Sequence, residues 1–279
     1  MNVKTQRRLG RLLTYTLLLL GAGIVAVPFW YMVVTSLKPQ SYIFEIPPRL
    51  WPHPATLTNY TTALGKDLFG LYFLNSVVVA VSSTALTVLV SGLLAYAFAR
   101  LEFPGREALF YVFLVGMMIP PVMLIIPQFI VAKYLHLFNS LLGLIVVYVT
   151  MNLSMQTFLL RSFFEGLPRD LEEAALIDGA GRWTIFRRIV LPLSRPGLAV
   201  VTIFTFLYSW DEFPWAHVSI KETTRRTLPI AIALFQSEHL TEWGQVFAAS
   251  IVALIPVVIV FVVFQRYFIR GIATTGLKG

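Results

Sequence analysis

The chain has 279 residues, 57% of them hydrophobic and only 13% charged, with a net charge of +8. A water-soluble domain this apolar would expose large adhesive patches, so the composition excludes one and indicates an integral membrane protein. The absence of cysteine excludes disulfides, thiolate zinc ligation and a thiol nucleophile.

A helix needs about 20 apolar residues to cross the hydrocarbon core. The first candidate span covers residues 12–36, behind a basic start at Lys4, Arg7, Arg8 and Arg11. Its apolar run exceeds that of a signal peptide and no small-residue cleavage site closes it, so it is expected to remain as a span. The following loop, 38–66, carries Pro39, Pro47, Pro48, Pro52 and Pro54 with Tyr42, Trp51 and Tyr60. It is expected to be ordered and to lie against the membrane surface. It reads either as a contact for an extracytoplasmic partner or as a stiff connector with an aromatic belt. The second span covers 71–99 and ends in a tight turn with Glu102, Pro104 and Gly105.

The third span, 108–132, contains Pro120, Pro121 and Pro127 and should bend or break in its outer part. The fourth covers 141–163. The fifth starts at Pro196 and reaches a comfortable length only if it continues past Asp211 to about residue 217. The loop 218–242 contains Thr227-Leu228-Pro229 before an apolar stretch, which predicts a short interfacial helix. The sixth span covers 244–266. Runs such as Leu17-Leu18-Leu19-Leu20 are apolar on every face, unlike the alternation of a β-barrel. The fold class is therefore all-α, a single membrane domain over 1–279 with about six transmembrane helices.

With six spans and an inside N-terminus, fifteen of the 22 Lys and Arg fall in inner segments, which predicts cytoplasmic termini. Basic residues spread over span ends, not one compact face, also argue against nucleic acid as a partner. His53, His136, His217 and His239 all fall in outer segments without metal-ligand spacing.

A charged interruption, 168–192, separates the fourth and fifth spans. Pro168 can start a helix, and Asp170, Glu172 and Glu173 suit its positive end. Gly179 and Gly181 supply a permissive ending. A second helix over 183–191 would place Arg187 and Arg188 near its end and stop at Pro192. Ala174 and Ala175 leave room for close approach of another surface. Leu176, Ile177, Trp183, Ile185 and Phe186 are apolar residues that need cover, either from the chain's own span ends or from a partner. An amphipathic loop lying on the bilayer satisfies the same residues.

In the fifth span Asp211 lies roughly 22 Å from Pro196, past the membrane midplane. Intramembrane acids usually face a polar cavity. Asn75, Tyr208, Trp210, Asp211, Glu212 and Phe213 are accordingly candidates to line a solute pathway. The competing reading places the acids in the headgroup region, with Trp210 as a belt residue. Asn152, Ser154 and Gln156 fit bonds to neighbouring helices.

Glu173-Ala174-Ala175, three residues and then Gly179 resembles the coupling signature of importer permeases in the ABC transporter superfamily. Asn75-Ser76, Met118-Ile119-Pro120-Pro121, Leu142-Gly143-Leu144, Trp210-Asp211-Glu212-Phe213 and the tail 271–279 are similar to the carbohydrate-uptake branch, in particular to the second permease of maltose-type systems. The resemblance implies a cytoplasmic coupling helix in which Glu173, Ala174, Ala175, Asp178, Gly179 and Ala180 contact the ATPase. It implies that Thr275, Gly276, Leu277, Lys278 and Gly279 reach toward the ATPase too. The implied partners are a second homologous permease subunit, two ATP-binding cassette subunits, an extracytoplasmic solute-binding protein and the lipid bilayer. No cofactor is expected on this chain, which has no G-x-x-x-x-G-K-[ST] loop; ATP and Mg would sit in the cassette subunits. Two departures bear on the solute: Asp211 where the family usually has Asn, and Met151-Asn152-Leu153-Ser154 where it usually has a proline. A stand-alone secondary transporter or channel is the alternative. It would need ion-coupling charges, and Asp211 and Glu212 are the only acids inside a span.

Overall fold

The computed structural model describes residues 3–65, 68–236 and 241–275. Four helices have the length and hydropathy to cross a membrane: Arg7–Ser36, Phe69–Arg100, Leu141–Glu165 and Trp243–Tyr267. Two bent pairs bring the number to as many as six, counting each pair as one span: Arg106–Met118 with Pro121–Tyr134 at 93°, and Arg182–Leu193 with Arg195–Asp211 at 78°. Among the described residues no strand forms; Gln236 and Thr241 make one isolated bridge.

In chain order the helices are α1 (Val3–Ser36), α2 (Thr58–Gly65), α3 (Phe69–Arg100), α4 (Arg106–Val115), α5 (Ile125–Tyr134), α6 (Leu141–Glu165), α7 (Asp170–Ile177), α8 (Arg182–Ile185), α9 (Leu191–Leu193), α10 (Arg195–Asp211), α11 (Pro214–Ser219), α12 (Leu228–Ala233) and α13 (Trp243–Thr275). A π-helical turn, Phe186–Val190, joins α8 to α9.

Prolines explain the break in the third span and the end of α10. The third breaks at Ile119 and Pro120, whose backbones are extended. Proline offers no N–H, and it pushes the residue before it out of the helical region. Pro127 sits in the first turn of α5, where its missing N–H leaves no partner bereft, and the helix runs on. The fifth span does not continue past Asp211 to residue 217 as its length demanded. Glu212 is extended, because Pro214 cannot donate to the Trp210 carbonyl, and α11 begins afresh at Pro214. Pro192, by contrast, does not stop the helix before it. Leu191 N–H donates to the Phe186 carbonyl in a π turn, and the helix reaches Leu193.

The chain divides into two compact units. One comprises residues 1–69 and 232–254. Within it the proline-rich loop is ordered by polar groups from α1. Lys38 is buried and donates to the Arg49 carbonyl at 2.7 Å, and Trp30 donates to the Leu50 carbonyl at 3.2 Å while meeting Trp51 edge-on at 4.9 Å. Asn59 donates to the carbonyls of Ser36 and Lys38 at 2.8 and 2.7 Å.

The other unit comprises residues 70–231 and 255–279. Its centre is α6, against which α4, α10 and α11 pack. One end of α6 enters a cluster with Val79, Trp215, Ala216 and Ile230 through Leu144 and Tyr148. The other end enters a cluster with Ala95, Tyr96, Ile185, Phe186 and Val201 through Leu160 and Phe164. The helix predicted in loop 218–242 forms as α12, but Leu228, Ile230 and Ala231 are buried, so it is a packed element and not an interfacial one. Ser76 accepts its Leu228 N–H at 2.7 Å.

Gly143 follows the Ser140 cap of α6, whose hydroxyl accepts from Gly143 N–H at 3.0 Å. A Cβ at Gly143 would overlap the backbone carbonyl of Leu137, which cannot swing aside as a flexible side chain would. Gly143→Ala should therefore lose about 1–3 kcal/mol, read as a lower melting temperature of the detergent-purified chain. An unchanged melting temperature would refute this close approach.

Candidate functional site

The segment between the fourth and fifth spans folds as a helix with one face fixed to its own chain. Helix α7 opens with Asp170, Glu172 and Glu173 in its first turn, where backbone N–H groups point outward and favour acids. Gly181 precedes α8 with extended backbone that any residue can adopt, so of the two expected glycines only Gly179 ends α7. Gly179 has φ +83°. Gly179 N–H donates to Leu176 O at 3.0 Å and Ala180 N–H to Ala175 O at 2.9 Å. These two bonds make a Schellman ending, in which a left-handed residue lets the last carbonyls find donors.

The same turn sorts the residues of the coupling signature into two sets. Ala175 and Ala180 pack against the cluster around Ile185 and Phe186, so their small size serves the chain's own core. Glu173, Ala174, Asp178 and Gly179 are exposed. Of the five apolar residues expected to need cover, Ile185 and Phe186 are buried within the chain. Ile177 and Trp183 remain 87% and 62% exposed, and Leu176 is partly exposed.

Glu172 is the residue that sequence reasoning missed. It turns inward from α7, and its carboxylate lies 2.7 Å from Arg100 Nε at the end of α3, with side-chain exposures of 7% and 3%. Arg100 Nη2 also donates to the Leu167 carbonyl at 2.8 Å. The available signal was Arg100 itself, the only charge in a 32-residue helix. A polar cavity of about 610 Å³ adjoins the pair, with Glu102, Arg169, Glu173 and Arg182 on its walls.

The pathway candidates separate. A cavity of about 280 Å³ is lined by Val122, Gln128, Met151, Tyr208, Asp211, Glu212 and Trp215 among others. Asn75, Trp210 and Phe213 are not on its walls. Asn75 donates its amide to the carbonyls of Thr224 and Arg226, both at 2.9 Å. Trp210 is buried against Phe73 and Phe206, and Phe213 stacks on His217 at 5.0 Å.

Glu212 is occupied by its surroundings. It accepts from Tyr148 OH at 2.6 Å, Trp215 N–H at 2.6 Å and Ala216 N–H at 3.0 Å, capping the helix that Pro214 forced to restart. Tyr148 was not anticipated as its partner. Asp211 stands differently: it is exposed, on the cavity wall. The cavity can therefore offer a carboxylate, the Gln128 amide and aromatic faces to a polar ring. Of the predicted tail, Thr275 is the last residue of α13, and Gly276, Leu277, Lys278 and Gly279 lie outside the described residues, as does His239.

Residues 88–274 match the family model of the binding-protein-dependent transport system inner membrane component. The chain belongs to this family. The permease is 39% identical over 252 residues to the sulfoquinovosyl glycerol transport system permease protein of Agrobacterium fabrum, covering 90% of this chain and 88% of that one. It is 39% identical to a diacetylchitobiose uptake system permease protein of Streptomyces coelicolor, covering 91% and 84%. It is 37% identical to the trehalose/maltose transport system permease protein of Thermococcus litoralis, covering 94% and 96%. Its fold is that of a bacterial ABC transporter involved in alginate import, with a TM-score of 0.80, 23% identity and coverage of 96% and 99%. The permease is thus a multi-pass membrane subunit of an ABC importer, and it works with partner subunits.

The Schellman turn gives a direct expectation. Gly179→Ala forces a side chain into the left-handed region at a cost of about 1–2 kcal/mol, whereas Gly181→Ala should be close to neutral. Melting temperatures of the two purified variants check this; equal values would rule out the turn.

Proposed function

We propose that this permease imports a carbohydrate, that α7 is its docking element for a separate ATPase, and that the Asp211 cavity is part of the solute route. One observation carries the docking reading. The inner face of the segment is fully committed to the chain through Glu172, Ala175, Ile185 and Phe186, yet Ile177 and Trp183 on its other side stay uncovered. Exposed apolar residues around a charged group such as Glu173 suit a protein partner better than bilayer lipid. The signature residues Glu173, Ala174, Asp178 and Gly179 lie on that uncovered side.

In this reading the segment faces the cytoplasm with both termini, as the basic bias requires. Two ATP-binding cassette subunits hold the ATP and Mg, and this chain binds neither. A second homologous permease completes the membrane pair, and the tail 275–279 reaches toward the cassettes. An extracytoplasmic binding protein delivers the solute. Closure of the cassettes moves the two docking elements and switches the pathway between its two openings.

The carbohydrate assignment is supported by the relatives named for trehalose, maltose and diacetylchitobiose transport. It is also supported by the cavity, whose Asp211 carboxylate and Gln128 amide can bond hydroxyls beside the Tyr208 and Trp215 rings.

Glu173→Lys combined with Ile177→Asp reverses the charge and polarity of the uncovered face without touching its buried side. It should lower ATPase co-purification at least about tenfold, equivalent to 1.4 kcal/mol, while membrane insertion stays at the wild-type level. Undiminished co-purification would overturn the docking reading.

A further inference from the structure

The docking segment is joined covalently to α6 before it and α10 after it, and a third helix holds it as well. The last turns of α3 hold it at three places. Arg100 Nε lies 2.7 Å from Glu172 Oε1. Arg100 Nη2 donates to the Leu167 carbonyl at 2.8 Å, which fixes the stretch by which the segment leaves α6. Tyr96 donates to the Arg182 carbonyl at 3.4 Å, with its ring 5.0 Å from that of Phe186. The exit toward α10, by contrast, passes a π turn and then a 78° bend at Ser194.

We propose that α3, a span with no covalent link to the segment, is the element that receives its displacement, and that Arg100 and Glu172 are the positioning residues that transmit it. This rests on the reading that an ATPase docks on α7. An exposed ion pair would be screened by salt and would slide as its long side chains exchange rotamers. This pair has side-chain exposures of only 3% and 7%, so separating it leaves each charge without its counterion at a nearly buried site, which is unfavourable even beside the polar cavity. The pair therefore stays closed while the segment moves. Since Arg100 also holds Leu167, the entrance to α7 and its first turn travel together with the end of α3. Val79, further along the same helix, packs in the cluster that contains Tyr148 and Trp215. Tyr148 is the residue bonded to Glu212 on the cavity wall, so a shift of α3 reaches the cavity through packed side chains.

The test uses the assembled importer and the absence of native cysteine from this chain. Spin labels are placed at Asp170→Cys on α7 and Leu89→Cys on α3, and in a second sample at Asp170→Cys and Phe204→Cys on α10, with cysteine-free partner subunits. Distances are measured by pulsed electron resonance in the nucleotide-free and ATP-trapped states. With the ion pair intact, the α7–α3 distance should be the same in both states while the α7–α10 distance shifts. Glu172→Gln should make the α7–α3 distance nucleotide-dependent. Where that variant does not accumulate, Arg100→Gln with Glu172→Gln, which strands no charge, carries the same expectation. A variant α7–α3 distance as constant as the native one overturns the proposal, as does a native α7–α3 distance that changes with ATP. If the ATPase does not co-purify with the native chain at all, the docking reading itself fails.

Discussion

The contact between Arg100 and Glu172 fixes what the segment between the fourth and fifth spans can be. A loop leaving a membrane between two helices would ordinarily be the softest part of the chain. Here Arg100 holds its entrance through the Leu167 carbonyl and its first turn through Glu172, and the Schellman bonds at Gly179 close the end of α7. Ala175 and Ala180 are small because the cluster around Phe186 takes up the space beside them. Arg100 thereby ties this element to α3, a helix that is not one of its neighbours along the chain.

The same arrangement divides the signature residues by task. Glu172 and Ala175 look inward and fix the segment's position. Glu173, Ala174, Asp178 and the exposed Ile177 look outward and are left uncovered by the chain itself. At the far end of α6 the logic repeats with different chemistry. Pro214 breaks the fifth span, Glu212 caps the restart and takes the Tyr148 hydroxyl, and Asp211 is left on the wall of a cavity. Two adjacent acids are thus placed differently: one completes the fold and the other stays exposed on the cavity wall.

Much of this was legible in the sequence, and the failures share one cause. The long apolar helices followed from apolar runs, and the break after α4 followed from Pro120 and Pro121, because those are local constraints that no neighbour can override. The left-handed ending at Gly179 was legible for the same reason. What escaped was every feature that depends on a distant partner. Glu172 read as an acid at a helix start, since nothing local says that Arg100 lies beside it. Asn75 read as a pathway residue, since nothing local says that the carbonyls of Thr224 and Arg226 claim its amide. Pro192 read as a stop, although a π turn absorbs it. Glu212 and Asp211 were indistinguishable until Tyr148 and the Trp215 and Ala216 amides were seen to select one of them.

The central claim is that the outward face of α7, left bare by its own chain, is covered by the ATPase in the assembled importer. Hydrogen exchange of the backbone amides in residues 171–183, compared between the purified permease and the complete complex, addresses it most directly. The account predicts that exchange across this stretch slows on assembly while the neighbouring amides of α6 stay unchanged. Exchange in 171–183 that is identical with and without the ATPase would contradict it.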